Sequence, residues 1–153
     1  MKAPTKTDAT ATESSAESGA GDPESSTSLD LKGTRILLVE DSWHVGTAIR
    51  RLLRAWGADV AGPAPTIADA EHLIAEAIPD AAIVDIHLRN GELSNDLIDR
   101  LHEQRIPVVV ITGYAAISIP PGKVEAVLQK PVSVEKFLAV LSPIAARKKT
   151  DRR

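Results

Sequence analysis

The sequence predicts an α/β protein whose parallel sheet is covered by helices on both faces. Three observations carry that prediction. Short runs that are apolar almost throughout, such as Arg35-Ile-Leu-Leu-Val39, recur along the chain; a strand of that kind is buried on both faces. Between them lie longer segments whose apolar residues recur at helical spacing. Strand and helix then alternate, which is the signature of parallel sheets joined by crossover helices.

The elements follow in order. Arg35 to Val39 is the first strand. Asp41 or Ser42 can cap the helix after it, whose apolar face is Val45, Ile49, Leu52, Leu53 and Trp56, with Arg50, Arg51 and Arg54 on the other side. Gly57 stops that helix. Asp59-Val-Ala61 is a short second strand, ended by Gly62-Pro63. Thr66 caps a second helix, with Ala70, Leu73, Ile74 and Ala77 inward and Pro79 as its breaker. Ala81 to Ile86 is a third buried strand. Leu93 to Gln104 is a helix with Leu97, Ile98 and Leu101 inward. Val108 to Ile111 and Glu125 to Leu128 are the fourth and fifth strands. Ser133 caps a last helix carrying Phe137, Leu138, Val140 and Leu141.

Composition excludes several classes. The chain has 153 residues, net charge −3 and no cysteine, so it has no disulfide framework, thiolate metal site or cysteine nucleophile. Aromatic residues are 3% of the total, too few for a base-stacking platform. The small charge argues against nucleic acid and against an anionic membrane surface. Met1 to Thr10 lacks the apolar core of a signal peptide, and no run reaches membrane-spanning length. The expectation is a cytoplasmic protein. Residues 1–30 carry Lys2 and Lys6 against six acidic residues, net −4, with few large apolar side chains. Such a segment buries too little to offset its ordering entropy and is expected to be disordered. The last ten residues are net +4. The folded domain is therefore expected over 31–144, with a basic tail over 145–153 and no output domain after it.

In parallel α/β sheets a ligand site lies at the carboxyl ends of the strands. Glu40 and Asp41 follow the first strand, Asp85 lies within the third near its end, Thr112 stands at the end of the fourth, and Lys130-Pro131 follows the fifth. Singly, Asp41 reads as a helix cap, Thr112 as a strand-end hydroxyl and Lys130 as a solvated lysine. Asp85 is different, because it places a charge in a strand that is otherwise buried. Three carboxylates in one crevice repel each other unless a cation neutralises them. Oxygen ligands without His or Cys suit Mg²⁺. A carboxylate there can act as nucleophile toward a phosphoryl group, with a lysine and a hydroxyl placed to bind its oxygens.

The segments Leu38-Val-Glu-Asp-Ser42, Ile83-Val-Asp-Ile-His87, Val110-Ile-Thr-Gly113 and Gln129-Lys-Pro131 together resemble the receiver domain of two-component response regulators. The resemblance implies a flavodoxin-like (βα)₅ fold with strand order 2-1-3-4-5. It implies that Asp85 accepts a phosphoryl group from a sensor histidine kinase or a histidine phosphotransfer protein. It also implies that Glu40, Asp41, Asp85 and the backbone carbonyl of His87 hold Mg²⁺. Thr112 would be the switch hydroxyl, Lys130 would contact the phosphoryl group, and the bond before Pro131 would be cis. Such a domain is a phosphoacceptor rather than an enzyme in the usual sense, and it would signal to a protein partner.

The departures from the family pattern are specific. Val127 stands where receivers usually carry an aromatic switch residue. Only 17 residues separate Thr112 from Lys130, and they include Ile119-Pro-Pro-Gly122. The fourth helix must therefore be short or absent. Thr112-Gly-Tyr114 before a proline-rich loop resembles the FATGUY subgroup of single-domain receivers in alphaproteobacterial stress signalling, and Tyr114 either replaces the missing aromatic or packs on the loop. His87, two residues after Asp85, is placed to tune hydrolysis of an acyl phosphate. The other reading left by these departures is a binding module that keeps the site and works without phosphorylation.

Overall fold

The structure, a computed structural model, describes residues 29–113 and 119–151. Its elements are β1 (Arg35–Val39), α1 (Trp43–Ala55), β2 (Asp59–Ala64), α2 (Ile67–Glu76), β3 (Ala81–Asp85), a 3₁₀ turn (Arg89–Gly91), α3 (Asn95–Glu103), β4 (Val108–Thr112), β5 (Ala126–Gln129) and α4 (Val134–Asp151). The strands form one parallel sheet in the order β2-β1-β3-β4-β5. This is the flavodoxin-like arrangement.

Alternation along each strand divides the core in two. Ile36, Leu38, Ile83, Val109 and Ile111 face α1 and α4, where they meet Ile49, Leu53, Phe137 and Leu141. Leu37, Val39, Val84, Val108 and Val110 face the other way, onto Ala70 of α2 and Leu97, Ile98 and Leu101 of α3. Burial of each such side chain stabilises the fold by roughly 1.5–3 kcal/mol. The helix starts follow from local chemistry. Ser42 Oγ accepts from Val45 N, Thr66 Oγ1 from Asp69 N and Ser133 Oγ from Lys136 N, satisfying N–H groups that have no partner within the helix.

Several boundaries differ from the sequence expectation. β2 does not stop at Gly62-Pro63 but continues to Ala64. Leu37 pairs with Ala61 and Val39 with Ala64, so β2 carries one extra residue in a bulge. Gly62 takes φ +112° there, a conformation open to glycine. Pro63 is tolerated because β2 is an edge strand. Ala77, expected inward, is exposed beyond the end of α2. α3 begins at Asn95 rather than Leu93, because residues 87–94 form a closed loop. In it Leu88 N donates to Glu92 O, and His87 bridges Leu93.

The basic end is not a solvated tail. α4 runs through Pro143 to Asp151, and Ile144 and Ala145 are buried. Lys148 Nζ lies 2.7 Å from Asp80 Oδ1, while Asp80 Oδ2 accepts from Arg35 N. Arg147 pairs with Glu125 and Lys149 with Asp30. At the other end, Leu29 packs against the core; residues 1–28 of the expected acidic tail, like 152 and 153, lie outside the described residues.

Between β4 and β5 the described residues contain no helix. Tyr114 lies in segment 114–118, outside the described residues. Ile119 and Val124 pack on the α2–α3 side of the core, and Lys123 Nζ reaches Asp99 Oδ1 of α3 at 2.6 Å. None of the helices in the described residues is long and apolar enough to cross a membrane.

Candidate functional site

The carboxyl ends of β1, β3, β4 and β5 gather Glu40, Asp41, Asp85, Thr112 and Lys130. The topology explains the convergence. Asp85 and Thr112 are the last residues of adjacent strands, and Lys130 is the first residue past β5. Lys130 N donates to Thr112 O at 2.7 Å, which ties the residue after β5 to the end of β4. The Lys130–Pro131 bond is cis. Among the described residues Glu40, Asp85 and Thr112 are three of the few buried polar ones, whereas Asp41 is half-buried.

Lys130 Nζ lies 2.9 Å from both Glu40 Oε1 and Asp85 Oδ2. The other oxygens are held by backbone. Glu40 Oε2 accepts from Ser42 N at 3.0 Å, and Asp85 Oδ1 accepts from His87 N at 3.2 Å. Ser94 adds a contact that sequence reasoning missed. Its buried Oγ donates to the backbone carbonyl of Asp85 at 2.7 Å instead of capping α3. The sequence signal was a serine at a helix start, but the helix was expected to begin at Leu93, two residues before its observed start at Asn95. Arg89 was missed as well; its Nη2 donates to the backbone carbonyl of Asp41 at 2.9 Å. Of the residues expected to modulate the site, Val127 is exposed on β5.

The electrostatics are strained. Burial raises the Glu40 carboxyl above its ordinary value, and the Asp85 charge adds to that; Lys130 and the Ser42 N–H oppose it. Burial alone would lower Lys130, but its contacts with Glu40 and Asp85 prevail and raise it. Glu40, Asp41 and Asp85 offer oxygens within 4.8 Å of one another. Glu40 Oε1, although beside the ammonium, is buried with no well-formed hydrogen bond. One lysine against three carboxylates leaves net negative charge. An all-oxygen donor set with an underused buried oxygen fits a hard divalent cation of the Mg²⁺ type.

A separate cleft of about 880 Å³ lies at the opposite, amino-terminal edge of the sheet, lined in part by Pro79, Arg105, Pro107 and Arg147. It holds none of the expected site residues. Its Lys148 and Arg147 are committed to Asp80 and Glu125.

No family model matches the chain, and no curated protein matches it. Solved structures do. The receiver (REC) domain of the PhyR response regulator from Erythrobacter litoralis is 25% identical, with a TM-score of 0.64, over 74% of this chain and 91% of that one. The response regulator PhyR from Brucella abortus is 22% identical with a TM-score of 0.71; the match covers 91% of this chain but 58% of the longer protein. A response regulator receiver domain protein from Clostridium thermocellum is 20% identical, TM-score 0.65, over 76% of this chain and 98% of that one. The chain has the fold of a response regulator receiver domain, a signalling module of two-component systems.

Proposed function

We propose that the domain accepts a phosphoryl group on Asp85 from the phosphohistidine of a sensor kinase or of a histidine phosphotransfer protein. The observation that carries this reading is the Lys130 ammonium 2.9 Å from Asp85 Oδ2 and from Glu40 Oε1, at the ends of the strands. An Asp85 carboxylate oxygen attacks phosphorus and forms the new P–O bond. The P–N bond of the donor breaks, and the imidazole nitrogen leaves with the electron pair. His87 N and Ser94 Oγ fix Asp85 from its side chain and its backbone, so the nucleophile needs little reorganisation. Glu40, Asp41, Asp85 and the His87 carbonyl would hold Mg²⁺, which when bound neutralises charge on the phosphoryl oxygens. Lys130 then exchanges its contact with Asp85 for one with a phosphoryl oxygen, and the Thr112 hydroxyl binds another. The run Thr112-Gly-Tyr114 and the lack of a helix in the described residues between β4 and β5 support the FATGUY-like subgroup, with output through a protein partner.

The test is incubation with acetyl phosphate and Mg²⁺, alongside Asp85→Asn. The expected result is one phosphoryl group, stable to acid and labile to base, on the unmodified protein and none on the variant. No label on the unmodified protein would refute the reading. The exposed Val127, where a switch ring is usual, favours a second reading as a binding module that does not switch. Labelling that leaves amide resonances beyond the pocket unmoved would select it.

A further inference from the structure

We infer that Arg89 is a donor-capture residue, a guanidinium at the pocket rim that binds the oxygens of the incoming phosphoryl group. The inference rests on the phosphoacceptor reading of Asp85 and adds a residue to it. Arg89 opens the 3₁₀ turn four positions after Asp85. Its Nη2 donates to the Asp41 carbonyl at 2.9 Å, across 48 positions of sequence. The side chain thus extends from the loop after β3 to the backbone of Asp41, just past β1.

The root of the side chain is fixed. Leu88 N bonds Glu92 O at 2.8 Å, and Ser94 N bonds Ile86 O at 3.0 Å. Glu92 Oε1 in turn accepts from Ile67 N at the start of α2. A loop held at both ends delivers its side chain to one place.

The partner of Arg89 is the telling feature. Among the described residues Arg89 forms no ion pair, and the one hydrogen bond its side chain makes is to a neutral carbonyl. Guanidinium carries five N–H donors in a planar fork suited to phosphate. Lys130, in contrast, is engaged by Glu40 and Asp85 inside the pocket. Among the described residues, Arg89 is therefore the cation at the rim still available to an anion. Its exposure allows exchange of a single neutral hydrogen bond for a charge-assisted one. With acetyl phosphate, Asp85 Oδ forms the bond to phosphorus, the P–O bond to the acetyl group breaks, and acetate leaves with the electron pair. Arg89 acts before and during that step, by holding two phosphoryl oxygens.

The experiment measures the second-order rate constant for Asp85 labelling by acetyl phosphate, with Mg²⁺, in the unmodified protein, Arg89→Ala and Arg89→Lys. It is run at low and at high salt. Loss of a charge-assisted contact worth one factor of ten lowers the rate about tenfold in Arg89→Ala. Arg89→Lys keeps the charge without the fork and falls between. The gap between unmodified protein and Arg89→Ala narrows as salt rises, because a rim charge is screened. Thermal stabilisation by Mg²⁺ is the same in all three proteins, which a structural role at Asp41 would not permit. Equal rates, or a deficit that salt does not change, overturn the role of Arg89 while leaving the phosphoacceptor reading intact. Absence of label on the unmodified protein overturns both.

Discussion

Glu40 shows most clearly how one residue sets the character of the pocket. Its carboxyl is buried and beside Asp85, so ionisation is disfavoured even with Lys130 adjacent. The folded-state pKa lies above the ordinary 4.5. The stability contributed by this group is therefore complete below the ordinary value and is lost as pH rises through the raised one. Glu40→Gln removes that loss. In the absence of divalent cations it is expected to be the more stable protein near neutral pH, with the gap closing in acid. Urea unfolding across pH in EDTA measures this, and a gap that widens on acidification would contradict it. Glu40 and Asp41 were legible in sequence as two acids directly after an apolar strand. Ser94 was not, because its use depends on where α3 begins, and the loop bridge between His87 and Leu93 decides that.

At the scale of elements, edges and ends diverge most from local expectation. Gly62-Pro63 carries a strong turn signal, yet β2 continues through it because a bulge absorbs the extra residue and the strand has no outer neighbour to pair. A Cβ on Gly46 of α1 would meet Pro63 Cβ at 2.8 Å, so α1 sits directly on the bulge. The last helix makes the complementary point. Arg147, Lys148 and Lys149 read as a solvated basic run, but Ala145 is buried and Lys148 closes on Asp80, which also holds the start of β1. Truncation after Ile144 is expected to lower stability by about 2 kcal/mol, combining lost burial with a partly buried ion pair. Lys148→Ala alone costs about 1 kcal/mol or less. Chemical denaturation distinguishes these from a dispensable tail, whose removal would leave the midpoint unchanged.

Across the whole molecule, two apolar layers hold a sheet whose carboxyl edge concentrates charge. The fold accepts repulsion there that a cation would relieve. Thermal unfolding should therefore rise by several degrees when MgCl₂ replaces EDTA, corresponding to about 2.7 kcal/mol at a hundredfold excess over the dissociation constant. Asp41→Ala and Asp85→Asn should lose most of that gain. An equal gain in all three proteins would place the cation elsewhere.

The order of strands and helices, the two-sided burial of the sheet and the identity of its carboxyl-edge residues are all determined by the sequence alone. They follow from local periodicity and from strand ends that any chain of this pattern must share. Tertiary structure decided what depends on partners distant along the chain. It set the reach of β2 through its bulge, the docking of the basic helix end on Asp80, the fixing of Asp85 by Ser94, and the position of Arg89 against Asp41. Periodicity records which face of an element is apolar. It does not record which polar atom, tens of residues away, completes a hydrogen bond.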